Sequence, residues 1–217
     1  MKSKLTTLTA IFLLLFCARA FAQDDIIDGF NGYLINFKND TIKCQIGASY
    51  LSATLTFRLK LRYRVDTTRD FKKINPDSVK EFYWSHDSST YVSKVLPKDD
   101  KPVFVELLEK GRINLYQSLH ASIAITMNVS SLTQWYANKN ADSLKQIKIA
   151  STNLLGNGAI GSHKDREKAF MDMIADNPDL LDRYKAARKS ADYSFELIRY
   201  YIKTYNDEYL ENHKVSK

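Results

Sequence analysis

The residue run most suited to chemistry is a short alternating stretch. From Thr54 to Val65, Leu55, Phe57, Leu59, Leu61, Tyr63 and Val65 fall on one side, and Arg58, Lys60, Arg62 and Arg64 on the other. Side chains on one face of a strand repeat every 6.6–6.8 Å or about that. Four cations at this spacing make an anion-binding candidate that would track an anionic glycan or an array of lipid headgroups. The plainer reading of the same pattern is a solvated sheet face, or a charged edge that blocks strand-to-strand aggregation.

Other reactive types are scattered. Gly156-Asn-Gly-Ala-Ile-Gly161 spells the glycine string of a dinucleotide loop, but that loop needs a βαβ unit with an acidic residue at the end of a second strand. No strand pattern follows it, so the segment reads as a linker and no cofactor is expected. His86, His120, His163 and His213 share no metal-ligand spacing with each other or with a carboxylate, so neither a metal site nor a catalytic residue is assigned. Five tyrosines, Tyr193, Tyr200, Tyr201, Tyr205 and Tyr209, lie close together at helical spacing. They are expected to be mostly core, with an exposed stacking ridge as the alternative. Asn39-Asp-Thr41 and Asn128-Val-Ser130 match glycosylation sequons, which act only in a eukaryotic secretory pathway.

Residues 1–22 read as a signal peptide. Lys2 and Lys4 form the positive start, Leu8 to Phe16 the apolar centre, and Ala20-Phe21-Ala22 a small-x-small cleavage site before Gln23. The apolar run is shorter than the roughly 20 residues of a membrane span, so no transmembrane anchor is expected after cleavage. Cys17 offers a lipidation site only if the residue before it is small, and that residue is Phe16. The expected location is therefore exported: periplasmic, outer-membrane associated or secreted.

Composition sharpens this. The chain of 217 residues has seven glycines, four prolines and two cysteines, which excludes collagenous, long disordered and disulfide-scaffold classes. The leader takes Lys2, Lys4 and Arg19 with it, so 32 cations become 29 against 25 acids and the net charge falls from +7 to +4. Nucleic acid, already improbable outside the cell, has little to attract it. The mature chain keeps a single cysteine, Cys44, so no internal disulfide forms. It is expected to be buried as a small apolar residue, with an exposed thiol as the alternative.

The elements that must position these groups change character along the chain. From Gly32 to about Ile149 the period is two, and beyond Ser162 it is helical. The expectation is an α+β chain: an antiparallel β-meander of about eight to ten strands over residues 23–151, a Gly-containing linker at 152–162, and a helical module of about three helices at 163–217. A two-residue loop at Asn39-Asp40 would pair Phe37 with Ile42, Ile35 with Cys44 and Tyr33 with Ile46, all on one face. A loop at Asp87-Ser88 would pair Glu81 with Lys94 and Tyr83 with Val92. A three-residue loop, Glu109 to Gly111 with Gly111 left-handed, would pair Leu107 with Ile113 and Val105 with Leu115. Asn177-Pro178 is expected to cap the second helix, and a third carries Phe195, Ile198, Ile202, Tyr205 and Tyr209 on one stripe.

The segment Gly32–Ile46, reading GYLINFKNDTIKCQI, resembles the opening of uncharacterised exported proteins of Bacteroidota with the pattern G-Y-I-x-hydrophobic-x-x-G-D-T-I-x-G-x-I. Lys101–Tyr116 and the run from Asp176 look like the same group. Asn39 and Cys44 stand where glycine is usual. The resemblance implies an envelope or secreted location and no known activity. The expected function is a non-enzymatic binding or structural component of the cell envelope whose partner is an envelope protein or an anionic glycan or lipid. The alternatives are a dedicated anionic glycan or lipid module acting through residues 58–64, and a hydrolase with a dispersed site.

Overall fold

The computed structural model describes residues 29–50, 56–57, 59–65, 70–123, 129–140, 142–151 and 160–214. The signal-peptide segment, Arg58, the Asn128 sequon and most of the glycine string lie outside them. Among the described residues no helix is long and apolar enough to cross a membrane.

The α+β class and the antiparallel meander are both present. Ten strands run in the order β11-β10-β9-β8-β7-β6-β1-β2-β4-β5, and an eleventh, β3, pairs off this path with β9. The strands are β1 (Phe30–Asn36), β2 (Thr41–Tyr50), β3 (Thr56–Phe57), β4 (Leu59–Arg64), β5 (Lys72–Lys73), β6 (Val79–Trp84), β7 (Ser89–Val95), β8 (Pro102–Glu109), β9 (Ile113–Ile123), β10 (Val129–Lys139) and β11 (Lys145–Ser151). From β6 onward each strand pairs with the next. The first five work differently, because the chain crosses back through Ile74, which is buried, to lay β6 against β1. One residue separates β3 from β4, yet β3 pairs with β9, Thr56 opposite Ser122, while β4 pairs with β2. The path from β9 round to β4 thus returns on itself, which leaves fewer open edges.

The first hairpin departs from its expected register. Leu34 lies opposite Ile42, Gly32 opposite Cys44 and Phe30 opposite Ile46. The cause is Asn36, whose Oδ1 accepts from the amides of Lys38 at 2.8 Å and Asp40 at 2.9 Å, closing a four-residue turn with Asn39 at φ 67°. A shift by an odd number of residues exchanges the faces of β1. Leu34 is buried, Phe37 is 57% exposed at the turn, and Tyr33 and Ile35 point away from the core. Cys44 is buried as expected, together with Ile46, Val79, Phe82 and Trp84. The next two hairpins also slip: Glu81 faces Val92, and Leu107 faces Tyr116 with a bulge before Glu109.

The helices are α1 (His163–Ile174), α2 (Pro178–Ala187) and α3 (Phe195–Lys214). Ser162 and Asp165 form a capping box on α1 behind Gly161, whose φ of 69° suits glycine, and Asn177 caps α2 ahead of Pro178. The three pack on β9–β11: Phe170, Ile174, Leu180, Tyr184, Ile198 and Ile202 share one core with Ile113, Leu115, Trp135, Ala137 and Ile147. Asn206 of α3 ties the layers by donating to the Ile113 carbonyl at 2.8 Å and accepting from its amide at 2.9 Å, as a neighbouring strand would. Gly111 is not left-handed as expected. A Cβ there would lie within 2.7 Å of the Asn206 amide atoms, so its lack of a side chain serves this close approach.

Candidate anion-binding face

The alternation expected over residues 54–65 is seen in space at residues 61–64. Tyr63 lies opposite Ile46, putting its side of β4 on the core, and Arg64 lies opposite Gln45 on the other face. On that outer face Arg62 neighbours Lys73 of β5, and Lys43 lies two residues before Gln45 along β2. Arg62 and Arg64 are half-buried, and Lys43 and Lys73 exposed. The side chain of Lys60 and all of Arg58 lie outside the described residues, so the four expected cations contribute two to the observed face. Lys43 and Lys73, which complete it, come from other strands and carry no signal in the local pattern.

Arg64 is the organised member. Its Nε donates to Gln45 Oε1 at 2.7 Å, and its guanidinium carbon sits 4.8 Å from the centre of the Phe71 ring. Gly29 makes room for this: a Cβ there would lie 3.0 Å from Phe71 and 3.1 Å from the Gln45 Cβ. Among the described residues its two Nη groups make no hydrogen bond, which leaves the fork without a described partner. A fixed guanidinium fork matches the paired oxygens of a carboxylate, sulfate or phosphate. On the same face, opposite Lys43, Tyr33 stacks on Tyr83 at 5.6 Å and 18°. Burial, then the neighbouring Glu81, push the Tyr33 phenol up, so it stays neutral. Glu81 opposes Ile35 on the same face and ends the cationic strip on that side.

Two polar arrangements escaped the sequence patterns. On the other sheet face, between the two hydrophobic clusters, a ladder crosses four strands: Trp135 Nε1 donates to Gln117 at 2.8 Å, Gln117 Nε2 to Glu106 at 3.3 Å, and Ser89 Oγ to Glu106 at 2.7 Å. Tyr91 beside it donates to Asp87 at 2.6 Å, and burial and that bond hold the phenol protonated. The second is an open cleft of about 580 Å³ lined by Arg112, Asp176, Arg183, Tyr205, Glu208 and Tyr209. Asp176 meets Lys139 at 2.6 Å, Arg112 at 3.1 Å and the Tyr205 hydroxyl at 2.9 Å. Burial raises the Asp176 carboxyl, but these partners outweigh it and leave it below the usual carboxylate range. Glu208 is held low by Arg183 and Asn177. Paired in this way, Asp176 fastens the helices to the sheet, Glu208 fastens α3 to α2, and both are poor proton acceptors.

The remaining expected residues are dispersed. His86 packs on Phe30 and Trp84, His163 lies 3.9 Å from Glu167, and no group of metal-ligating side chains assembles among the described residues. Tyr193, Tyr201 and Tyr205 are buried, while Tyr200 is 62% exposed. Compared with known protein families, curated proteins and solved structures, the chain matches none.

Proposed function

We propose that the chain is an exported, non-enzymatic binding or structural component of the cell envelope. The observation that carries binding is Arg64, a guanidinium ordered by Phe71 and Gln45 with its fork open, beside Arg62, Lys73 and Lys43. Binding is favoured over catalysis because Asp176, Glu208 and Glu106 are each engaged by neighbouring donors. Support for export comes from residues 1–22, with their positive start, apolar centre and small-x-small end.

The test is expression of the tagged full chain in a Gram-negative host, followed by fractionation and mass spectrometry of the N-terminus. A species beginning at Gln23 in the periplasm, outer membrane or medium is expected. An intact leader on cytoplasmic protein would overturn export. Turnover of a model ester, glycoside, phosphoester or peptide by the purified chain, lost on mutating a described polar residue, would overturn the non-enzymatic reading.

A further inference from the structure

Resting on that binding reading, we infer that the face carrying Lys43, Arg62, Arg64 and Lys73 takes an anionic polysaccharide, with a carboxylate or sulfate of the polymer seated on the open Arg64 fork. Five observations converge on this. Neighbouring strands stand about 4.8 Å apart and same-face residues about 6.8 Å apart along a strand. The cations on β2, β4 and β5 therefore form an oblique strip with a positive group every 5–8 Å or about that, a spacing that a linear polymer with regularly repeated anions meets several times over.

Arg62 and Arg64 are half-buried residues, whereas Lys43 and Lys73 are exposed. An oxyanion on a narrow chain reaches partly covered side chains more readily than a planar bilayer surface does. The same face offers aromatic surface in Tyr33 and Tyr83, whose rings suit the apolar C–H faces of sugars. Among the described residues, large apolar groups that would enter a bilayer lie off the strip: exposed Phe37 is in the β1–β2 turn and exposed Val65 lies beyond the end of β4. Finally, Lys43, Arg64 and Lys73 form no ion pair with a described residue, so at these three positions an arriving anion breaks no ion pair among the described residues. A fork held in place loses less freedom on binding than a mobile chain does.

The experiment measures binding of the purified chain to immobilised polygalacturonate and dextran sulfate, with neutral dextran and phosphatidylglycerol-containing vesicles in parallel. Binding to at least one anionic polysaccharide and not to neutral dextran is expected, weakening as NaCl rises to about 0.5 M. Lys43→Glu and Lys73→Glu should each weaken it by about threefold or more. Lys72→Glu makes the same change of charge one residue away on the opposite face, and should cost less than about twofold. Arg64→Lys keeps the charge and loses the fork, and should weaken binding about tenfold.

Vesicle binding without polysaccharide binding overturns the inference, and so does failure to bind either polymer. Equal losses from Lys72→Glu and Lys73→Glu would also overturn it, reducing the effect to net charge. If Arg64→Lys melts early, the two exposed lysine variants still decide the matter. Failure here leaves the export test untouched, and failed export leaves the binding result standing, so the two readings fall separately.

Discussion

Asn206 and Gly111 form a coupled pair whose energetics follow from geometry. Asn206 is 5% exposed and supplies the hydrogen-bond partners of both the Ile113 amide and carbonyl. Asn206→Ala leaves two buried backbone groups unpaired, at about 1–3 kcal/mol each. Gly111→Ala places a methyl within 2.7 Å of the Asn206 amide atoms and must push that amide aside, an overpacking cost of about 1–3 kcal/mol. In the double variant the new methyl has no amide to strike, so the second cost largely disappears. The double variant should therefore be about as stable as Asn206→Ala alone, a coupling of about 1–3 kcal/mol. Urea unfolding of all four proteins measures this. In thermal melts each kcal/mol should appear as about 2–4 °C for a chain of this size. Strictly additive costs would refute the reasoning, as would an Asn206→Ala loss below about 1 kcal/mol.

Other consequences are equally direct. Glu167 is held low first by its hydrogen bond from Arg188, Glu208 first by that from Arg183, and Asp176 by Lys139 and Tyr205 against the effect of burial. Lowered carboxyls contribute stability that is complete above their ordinary values of 4.5 and 3.8 and is lost as pH falls through them toward the folded values. The wild type should thus lose stability below about pH 4.5, and the stability gap between it and Asp176→Asn should narrow there in acid-titrated urea melts. Cys44, 5% exposed, should resist a maleimide in the folded protein and react promptly in denaturant; fast native labelling would refute its place in the core. Gln117→Leu removes the acceptor of the Trp135 indole and should cost about 1–3 kcal/mol with a shift in tryptophan emission. Gly29→Ala should weaken polyanion binding without touching a cation, because it moves the Phe71 ring that holds Arg64.

Periodicity carried the fold a long way. The change from period two to a helical repeat near Ser162, the Asn177-Pro178 cap and the stripe from Phe195 to Tyr205 are local properties and are realised as local structure. Strand register was less legible, because it depended on how single side chains close turns. Asn36 bonding to Lys38 and Asp40 gives a four-residue loop where Asn39-Asp40 alone suggests two, and this moved Tyr33 from the expected core face to the cation face. The crossing that lays β6 on β1 and the return of β3 to β9 join residues far apart in sequence and leave no short pattern. Of the candidate face, Arg62 and Arg64 were visible because they alternate on one strand. Lys43, Lys73, Gln45 and Phe71 became neighbours only through pairing.

The strongest competing account of the basic strip is protection against edge-to-edge aggregation, since β5 is a two-residue strand at the end of the sheet path and both its residues are exposed lysines. Edge protection needs charge that is mobile, hydrated and outward, and Lys72 and Lys73 supply it. It does not need a half-buried arginine on the next strand inward whose guanidinium is stacked on Phe71 and tied through Nε to Gln45. Ordering a long side chain costs conformational entropy, and desolvating its charge adds to that cost. A glycine at position 29 also leaves room for the ring that holds it, since a Cβ there would lie 3.0 Å from Phe71. Those features are superfluous for a repulsive edge and useful for a fork that must meet an oxyanion in one orientation. The lysines thus serve either purpose, and Arg64 separates the two accounts.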